Sequence, residues 1–516
     1  MSWSRPRYDV VVIGSGPNGL SAAVAMAQAG LETLVIEAKA EPGGGTRTSP
    51  LTLPGFLHDV CSSVHPLGLA SPWFRTLDLG VEWIHPDAPV AHVLPDGSAV
   101  TLERSIEETC AQLGPDAVAY RRLVTPFVRR YDDLLEDILG PLKLPSSPLL
   151  LARFGLDAMR SLRGLARWTF RGQAAPALLA GIAAHAMLPL DRMATASFGL
   201  VLATAGHAVG WPITRGGSRT ITDALLARFR ADGGELVLGH PVTNMAELPP
   251  ARAYLFDLTP RQVLAIAGDR LPAGYRARLA KFRYGPGVFK VDWALSGPVP
   301  WRDPRCARAA TVHLAGTLDD VSRAEQAVHA GTLSDKPFVL FVQPSLFDPT
   351  RAPLGHHVAW AYCHVPHGST VDATSAIEAQ IERVAPGFRD CVLARATMNA
   401  QEVERYNPNY IGGDINGGLS DVRQLLTRPL PQLDPYTTGA PDIFLCSSST
   451  PPGGGVHGMC GYWAARSALR RVFGKDAPAL ATGPLPADDK HPAVLSGRND
   501  GPLEDPRIAR TLSLSL

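Results

Sequence analysis

A mixed α/β fold organised around a parallel sheet is predicted by three features of the 516-residue chain. First, two apolar β-branched runs, Tyr8-Asp-Val-Val-Val-Ile-Gly14 and Leu31-Glu-Thr-Leu-Val-Ile-Glu37, flank an Ala-rich stretch from Leu20 to Ala29. That order is the minimal right-handed βαβ crossover, with buried strands and a helix closing near Gly30. Second, Gly14-Ser-Gly16-Pro-Asn-Gly19 stands where the first strand meets the helix. Third, further apolar runs return after a long helical stretch, at Glu235-Leu-Val-Leu, Tyr254-Leu-Phe-Asp257 and Asp442 to Cys446, so the sheet is assembled from distant segments.

Composition narrows the function classes. Apolar residues make up 45% and charged residues 19%, which excludes a disordered chain. The 49 basic and 48 acidic residues leave a net charge of +1, so no overall field exists to hold a nucleic acid. The seven cysteines are scattered and form no CxxC pair, which argues against a disulfide scaffold, a zinc ribbon or a dithiol redox centre, and no metal is expected. The first strand begins at Tyr8, leaving no room for a signal peptide, and Pro176, His185 and Pro189 interrupt the most apolar stretch. A cytoplasmic location, with membrane association as an addition, is the expectation.

The pattern divides the chain into interleaved segments. Residues 1–105, 205–260 and 431–475 read as three parts of one dinucleotide-binding, Rossmann-like domain. Residues 106–204 turn helical, with Leu and Ala at three- and four-residue spacing cut by prolines, and read as a cap. Residues 261–430 read as a mixed sheet, with strands at Phe289–Leu295, Phe338–Val342 and His357–His364. Residues 476–516, rich in Pro, Asp, Gly and Ser, read as a tail.

In the first glycine cluster, Gly14 permits a tight turn, Gly16 lets a pyrophosphate approach the backbone and Gly19 allows close helix packing. Glu37, at the end of the second strand, is placed to accept from a ribose diol. Glu41-Pro-Gly43-Gly44-Gly45-Thr46-Arg47-Thr48 adds a second glycine turn with a cation able to pair with phosphate. A third cluster, Pro451-Pro452-Gly453-Gly454-Gly455-Val456-His457-Gly458, follows the last buried strand.

Together these clusters resemble the flavoprotein family that includes phytoene desaturases, carotenoid isomerases, amine oxidases and Rab GDP-dissociation inhibitors. Pro54-Gly55-Phe56, Asp59, His65, the turn Asp257-Leu-Thr-Pro260 and Asn407-Pro-Asn-Tyr-Ile-Gly-Gly-Asp414-Ile-Asn-Gly-Gly418 resemble its phytoene-dehydrogenase-related branch. The resemblance implies an FAD-binding domain of the glutathione-reductase type interleaved with a substrate domain. It also implies FAD held by Gly14, Gly16, Gly19, Glu37, Gly44, Thr46, Arg47, Val242, Gly454, Gly455 and Val456, with Arg47 near the pyrophosphate and the third cluster beside the flavin.

The activity implied is hydride transfer between an apolar small molecule, carotenoid- or lipid-like, and flavin. Non-redox isomerisation and a GDP-dissociation-inhibitor-like binding role are the alternatives. His457 is the candidate catalytic group, against a structural histidine; Asp59, His58, His65 and Cys460 are weaker candidates. With no second dinucleotide motif, the electron acceptor is oxygen, a quinone or a protein. The stretch 148–171 carries Arg153, Arg160, Arg163, Arg167 and Arg171 among leucines and aromatics. It reads as a solvated basic face, a surface for anionic membrane, or a protein interface.

Overall fold

In the computed structural model, which describes residues 3–481, the two apolar runs pair as parallel strands Tyr8–Ile13 and Thr33–Ile36. They lie at the centre of a five-stranded sheet whose order is Ile443–Leu445, Ala251–Phe256, Tyr8–Ile13, Thr33–Ile36, Glu235–Val237, parallel throughout. Parallel strands need both faces covered, and the inner strands are accordingly apolar without alternation. Helices Pro17–Gln28, Arg219–Ala231 and Met459–Ala468 cover one face. Pro260–Ala267 and Ala273–Leu279 cover the other, so this part of the 261–430 segment belongs to the first sheet. The crossing of the first and last helices is so close that a Cβ on Gly461 would meet the carbonyl of Asn18. The Ala22 amide lies beside it, and one turn earlier Ser21 packs against Gly458.

A second sheet of seven strands runs in the order Val392–Met398, Gly287–Leu295, His357–Val365, Val339–Val342, Ala309–Leu314, Ala88–Val93, Ala99–Leu102. All its pairs are antiparallel except Ala309–Leu314 with Ala88–Val93. Residues 88–102, expected in the first nucleotide-binding segment, are instead its edge. Short Ala-Val runs carrying a Pro or a His gave no strand signal to assign them. Alternation along Gly287–Leu295 and His357–Val365 separates two faces. Phe289, Val291, Trp293, Ala359, Ala361 and Cys363 pack with helix Thr374–Val384, while Trp360 and Tyr362 face the helical cap.

The cap comprises helices from Ile106–Cys110 to Thr195–Ala208. Pro148 and Pro176 stand in the first turns of Pro148–Ala158 and Ala174–Ala183 rather than ending helices, because a first turn leaves that N–H unpaired anyway. Of the expected tail, residues 476–481 pack back on the first sheet's helices: Tyr462 donates to Pro478 O at 2.9 Å and the Ala481 amide to Thr76 at 2.6 Å. The remainder of the tail lies outside the described residues.

Candidate flavin and substrate site

The carboxyl ends of the parallel strands carry all three glycine clusters, and one cavity of about 830 Å³ connects them to the cap. Gly14 takes φ +102°, a conformation that favours glycine, and a Cβ there would stand 3.1 Å from Asp257. The second cluster folds onto the first: Gly44 has φ +55°, and its missing Cβ would lie 3.0 Å from Gly16 Cα. The third contributes Gly453 at φ +110° and Gly455 at φ +126°. Among the described residues the amides of Gly44, Gly454 and Gly455 donate to no protein acceptor. Two turns stripped of Cβ atoms against each other, with open amides above a helix N-terminus, form a cradle that fits a dinucleotide pyrophosphate.

Glu37 caps this cradle. Its carboxylate accepts from the Ser15 amide at 2.9 Å, from Ser15 Oγ at 2.6 Å and from the Lys39 amide at 2.9 Å. Arg47 donates to Glu41 O at 2.8 Å and stands 3.4 Å from Glu37, with its guanidinium over Tyr406. Thr46 donates to Gly43 O at 2.7 Å and so closes the second turn. Val242 lines the cavity in the chain that leaves strand Glu235–Val237, which pairs beside Glu37. Asp257, in sequence only part of a turn, carries the cradle: its carboxylate accepts from the Gly19 amide at 3.0 Å. Burial, opposed by the Gly19 bond, pushes it up to about 8.

The remaining candidates separate. His457 lines the cavity but is buried, and its Nδ1 accepts from the Met459 amide at 3.1 Å, so the ring caps the last helix. Burial holds it down to about 4, hence neutral. Asp59 lies in a buried network below the cavity, and His65 joins that network from the cavity wall. Asp59 accepts from Thr48 at 2.7 Å and the Ser218 amide at 2.9 Å, and pairs with Arg351 at 2.8 Å. Burial alone would raise it; Arg351 and the hydrogen bonds bring it down to about 2. His65 lines the wall and bonds Ser218 at 3.0 Å. His58 stands 3.6 Å from Asp292, too far for a hydrogen bond, and burial lowers it to about 3. Cys460 is a buried thiol that burial pushes up to about 12, so it is no nucleophile.

Beyond the glycine turns the cavity wall becomes apolar, from Leu151, Phe154, Phe198, Val201, Trp211, Leu340, Val342 and Trp360 among others. No sequence pattern pointed to these, because each is an ordinary core residue until its neighbours are known. His185, Tyr362 and Arg428 also line it and were missed for the same reason.

The model of the FAD dependent oxidoreductase family matches residues 9–263. The chain is an FAD-dependent oxidoreductase. The oxidoreductase is 26% identical to pyridine nucleotide-disulfide oxidoreductase domain-containing protein 2 of Rattus norvegicus, over 90% of this chain and 94% of that one. It is 22% identical to phytoene desaturase (lycopene-forming) of a Paracoccus species, over 87% and 95%. An oxidoreductase structure from Methanosarcina mazei shares the fold, with a TM-score of 0.62 and 16% identity over 90% of this chain and all of that one. The phytoene-dehydrogenase-related resemblance and the FAD assignment therefore stand.

Proposed function

We propose that this oxidoreductase takes hydride from an apolar small molecule, of carotenoid or lipid kind, that enters through the helical cap. The carrying observation is one continuous cavity with the glycine cradle at one end and an apolar, partly exposed mouth at the other. Leu142 and Leu426 belong both to the cavity wall and to the exposed surface. Helix Pro148–Ala158 turns Leu151 and Phe154 to the cavity and Leu149 and Leu156 outward, 76% and 70% exposed. Leu144 and Trp168 are exposed nearby in sequence, at 94% and 80%. Apolar side chains beside arginines at such a mouth favour an anionic lipid surface over bulk solvent. Arg163 is drawn off to Asp319 at 2.8 Å, which leaves Arg167 and Arg171 as the stronger candidates for lipid.

In this reading Gly14, Gly16, Gly19, Gly44, Thr46 and Arg47 hold the pyrophosphate, Glu37 the ribose, Val242 the adenine, and Gly454, Gly455 and Val456 the ring. Bound FAD supplies a two-electron acceptor for hydride. The chain's own work is to hold the reacting carbon in place and exclude water, with Phe198, Leu340, Val342 and Trp360 as the dry wall. His457, neutral and beside the third glycine turn, is the candidate for exchanging a proton there.

The experiment is anaerobic mixing of the purified yellow protein with hydrocarbon substrates delivered in neutral or anionic vesicles. Bleaching of the flavin band by a hydrocarbon, faster from anionic vesicles and slowed by salt, supports the reading. Bleaching by water-soluble amines alone would overturn it, and equal rates from both vesicle types would remove the membrane part.

A further inference from the structure

Four imidazoles gather behind the apolar wall: His92, His185, His313 and His364. Only His185 is itself part of the wall. It sits in a single turn, Ala184–Ala186, and the next residue, Met187, takes φ 54°, a conformation a methionine adopts only when its surroundings impose it. The imposed turn puts both side chains on the cavity.

His185 Nε2 lies 3.3 Å from Nε2 of His313, which is fully buried on strand Ala309–Leu314. Two facing imidazole nitrogens bond only when one carries a proton and the other does not, so the tautomers of the pair are linked. His313 Nδ1 and His92 Nδ1 converge on Gly181, where a Cβ would collide with both rings. His92 Nε2 donates to Gly316 O at 2.7 Å. The ring of Trp211 meets His185 edge-on at 5.6 Å. His185 is thus fixed from behind, and its Nδ1 has no protein partner among the described residues and is not among the fully buried atoms. Burial lowers the ring to about 3, so it meets the cavity uncharged.

The position along the cavity also matters. The His185 carbonyl accepts from Asn416 Nδ2 at 3.2 Å, and the Asn416 carbonyl would lie 3.2 Å from a Cβ on Gly454. His185 therefore stands where the apolar arm reaches the third glycine turn.

We propose that His185, backed by His313, is the oxygen-recognising group of the cavity, and that the substrate is a largely apolar molecule carrying one uncharged oxygen function, a hydroxyl or a carbonyl. This rests on the apolar-cavity reading above and narrows it. With the pair's proton in one arrangement Nδ1 accepts, and in the other it donates. A hydroxyl answers either state and a carbonyl the second. A pure hydrocarbon answers neither, and leaves the nitrogen unpaired once water is expelled. His313 is a positioning residue in this scheme, acting only through His185.

The test uses the FAD-loaded protein and three probes of equal length, 1-dodecanol, 2-dodecanone and dodecane, with Kd read from the shift of the flavin spectrum. His185→Phe is expected to weaken dodecanol about tenfold and to leave dodecane within twofold of wild type. His185→Gln, which keeps a polar group, is expected to retain most of the preference and guards against a folding defect in the Phe variant. His313→Phe should cost dodecanol about threefold and His313→Gln should restore it. Tyr362, whose ring also lines this wall and carries a hydroxyl, should tolerate Phe with the dodecanol-to-dodecane ratio within twofold. If both probes bind and the ratio is the same in wild type and His185→Phe, or if Tyr362→Phe abolishes it instead, the inference is overturned while the apolar cavity stands. If neither probe binds the wild type, the cavity reading fails and takes this inference with it.

Discussion

The two sheets build their halves of the cavity from different materials. At the ends of the parallel strands the wall is mostly backbone: glycine turns and open amides, with two carboxylates, Glu37 fixed by Ser15 and Lys39 and Asp257 held by the Gly19 amide. Along the seven-stranded sheet and the cap it is side chain, from Phe154 to Trp360. A backbone site permits few residues at each position, whereas a side-chain wall permits many of similar volume. The first half should therefore be brittle to a single methyl and the second tolerant of it.

The largest expected effects follow from that contrast. Gly44→Ala places a methyl 3.0 Å from Gly16 Cα on a backbone at φ +55°, so the two turns must part. Glu37→Arg removes the acceptor of the Ser15 and Lys39 amides and sets a second cation beside Arg47. Each variant is expected to lose at least tenfold in FAD bound per chain, measured from the visible spectrum after gel filtration. Val342→Ala, on the other half, should keep a full complement of FAD while losing roughly 2 kcal/mol of stability by cavity creation. Equal FAD loss in all three would erase the distinction between the halves.

A pH experiment sharpens the comparison. Burial lowers His58 and His185 to about 3, and His65, His92, His207 and His457 to about 4. A lowered folded pKa means that the unfolded chain takes up protons first. Each ring then withdraws up to about 1.4 kcal/mol per pH unit as pH falls from 6.5 toward its folded value. Asp59 acts in a lower window, its stabilisation being full above 3.8 and lost as pH falls through about 2. The unfolding free energy should consequently drop steeply between pH 6.5 and 5, by several kcal/mol, and the denaturation midpoint should fall with it. The double variant His92→Gln with His313→Gln should flatten that slope. A midpoint independent of pH over this range would mean that the imidazoles are already charged in the fold.

The same division explains what could be read from the chain. The parallel sheet was legible because Val10–Ile13 and Leu34–Ile36 are uninterrupted apolar runs and because Gly14, Gly16 and Gly19 keep a fixed spacing. Strands Ala88–Val93, Ala99–Leu102 and Ala309–Leu314 were not, since Ala-rich segments have weak strand preference and the pairing that joins Ala88–Val93 to Ala309–Leu314 spans more than 200 residues. Asp257 was visible as a turn residue, but its bond to Gly19 depends on a strand pairing of distant segments. His185 and His313, 128 positions apart, carry no common signature. The only early hint was that His185 broke an otherwise apolar stretch.

The smallest effect expected is at His457, where the two materials meet. Its Nδ1 holds the Met459 amide, and its carbonyl accepts from Ser71 Oγ at 2.6 Å, so the residue is first a helix cap. Because Nδ1 accepts, the ring proton is on Nε2. His457→Ala should therefore cost about 1 kcal/mol, the usual worth of a lost cap, and lower Tm by only about 1 °C in a chain of this length, with FAD retained. His457→Asn offers a side-chain oxygen to the same amide and should recover most of that loss. The two variants separate cap from chemistry. If the imidazole also exchanges a proton during substrate oxidation, both slow flavin reduction to a similar extent although only Ala is destabilised. Recovery of rate together with stability in the Asn variant would assign His457 to the backbone-built half alone, as a cap for the turn, and leave the chemistry to the side-chain wall.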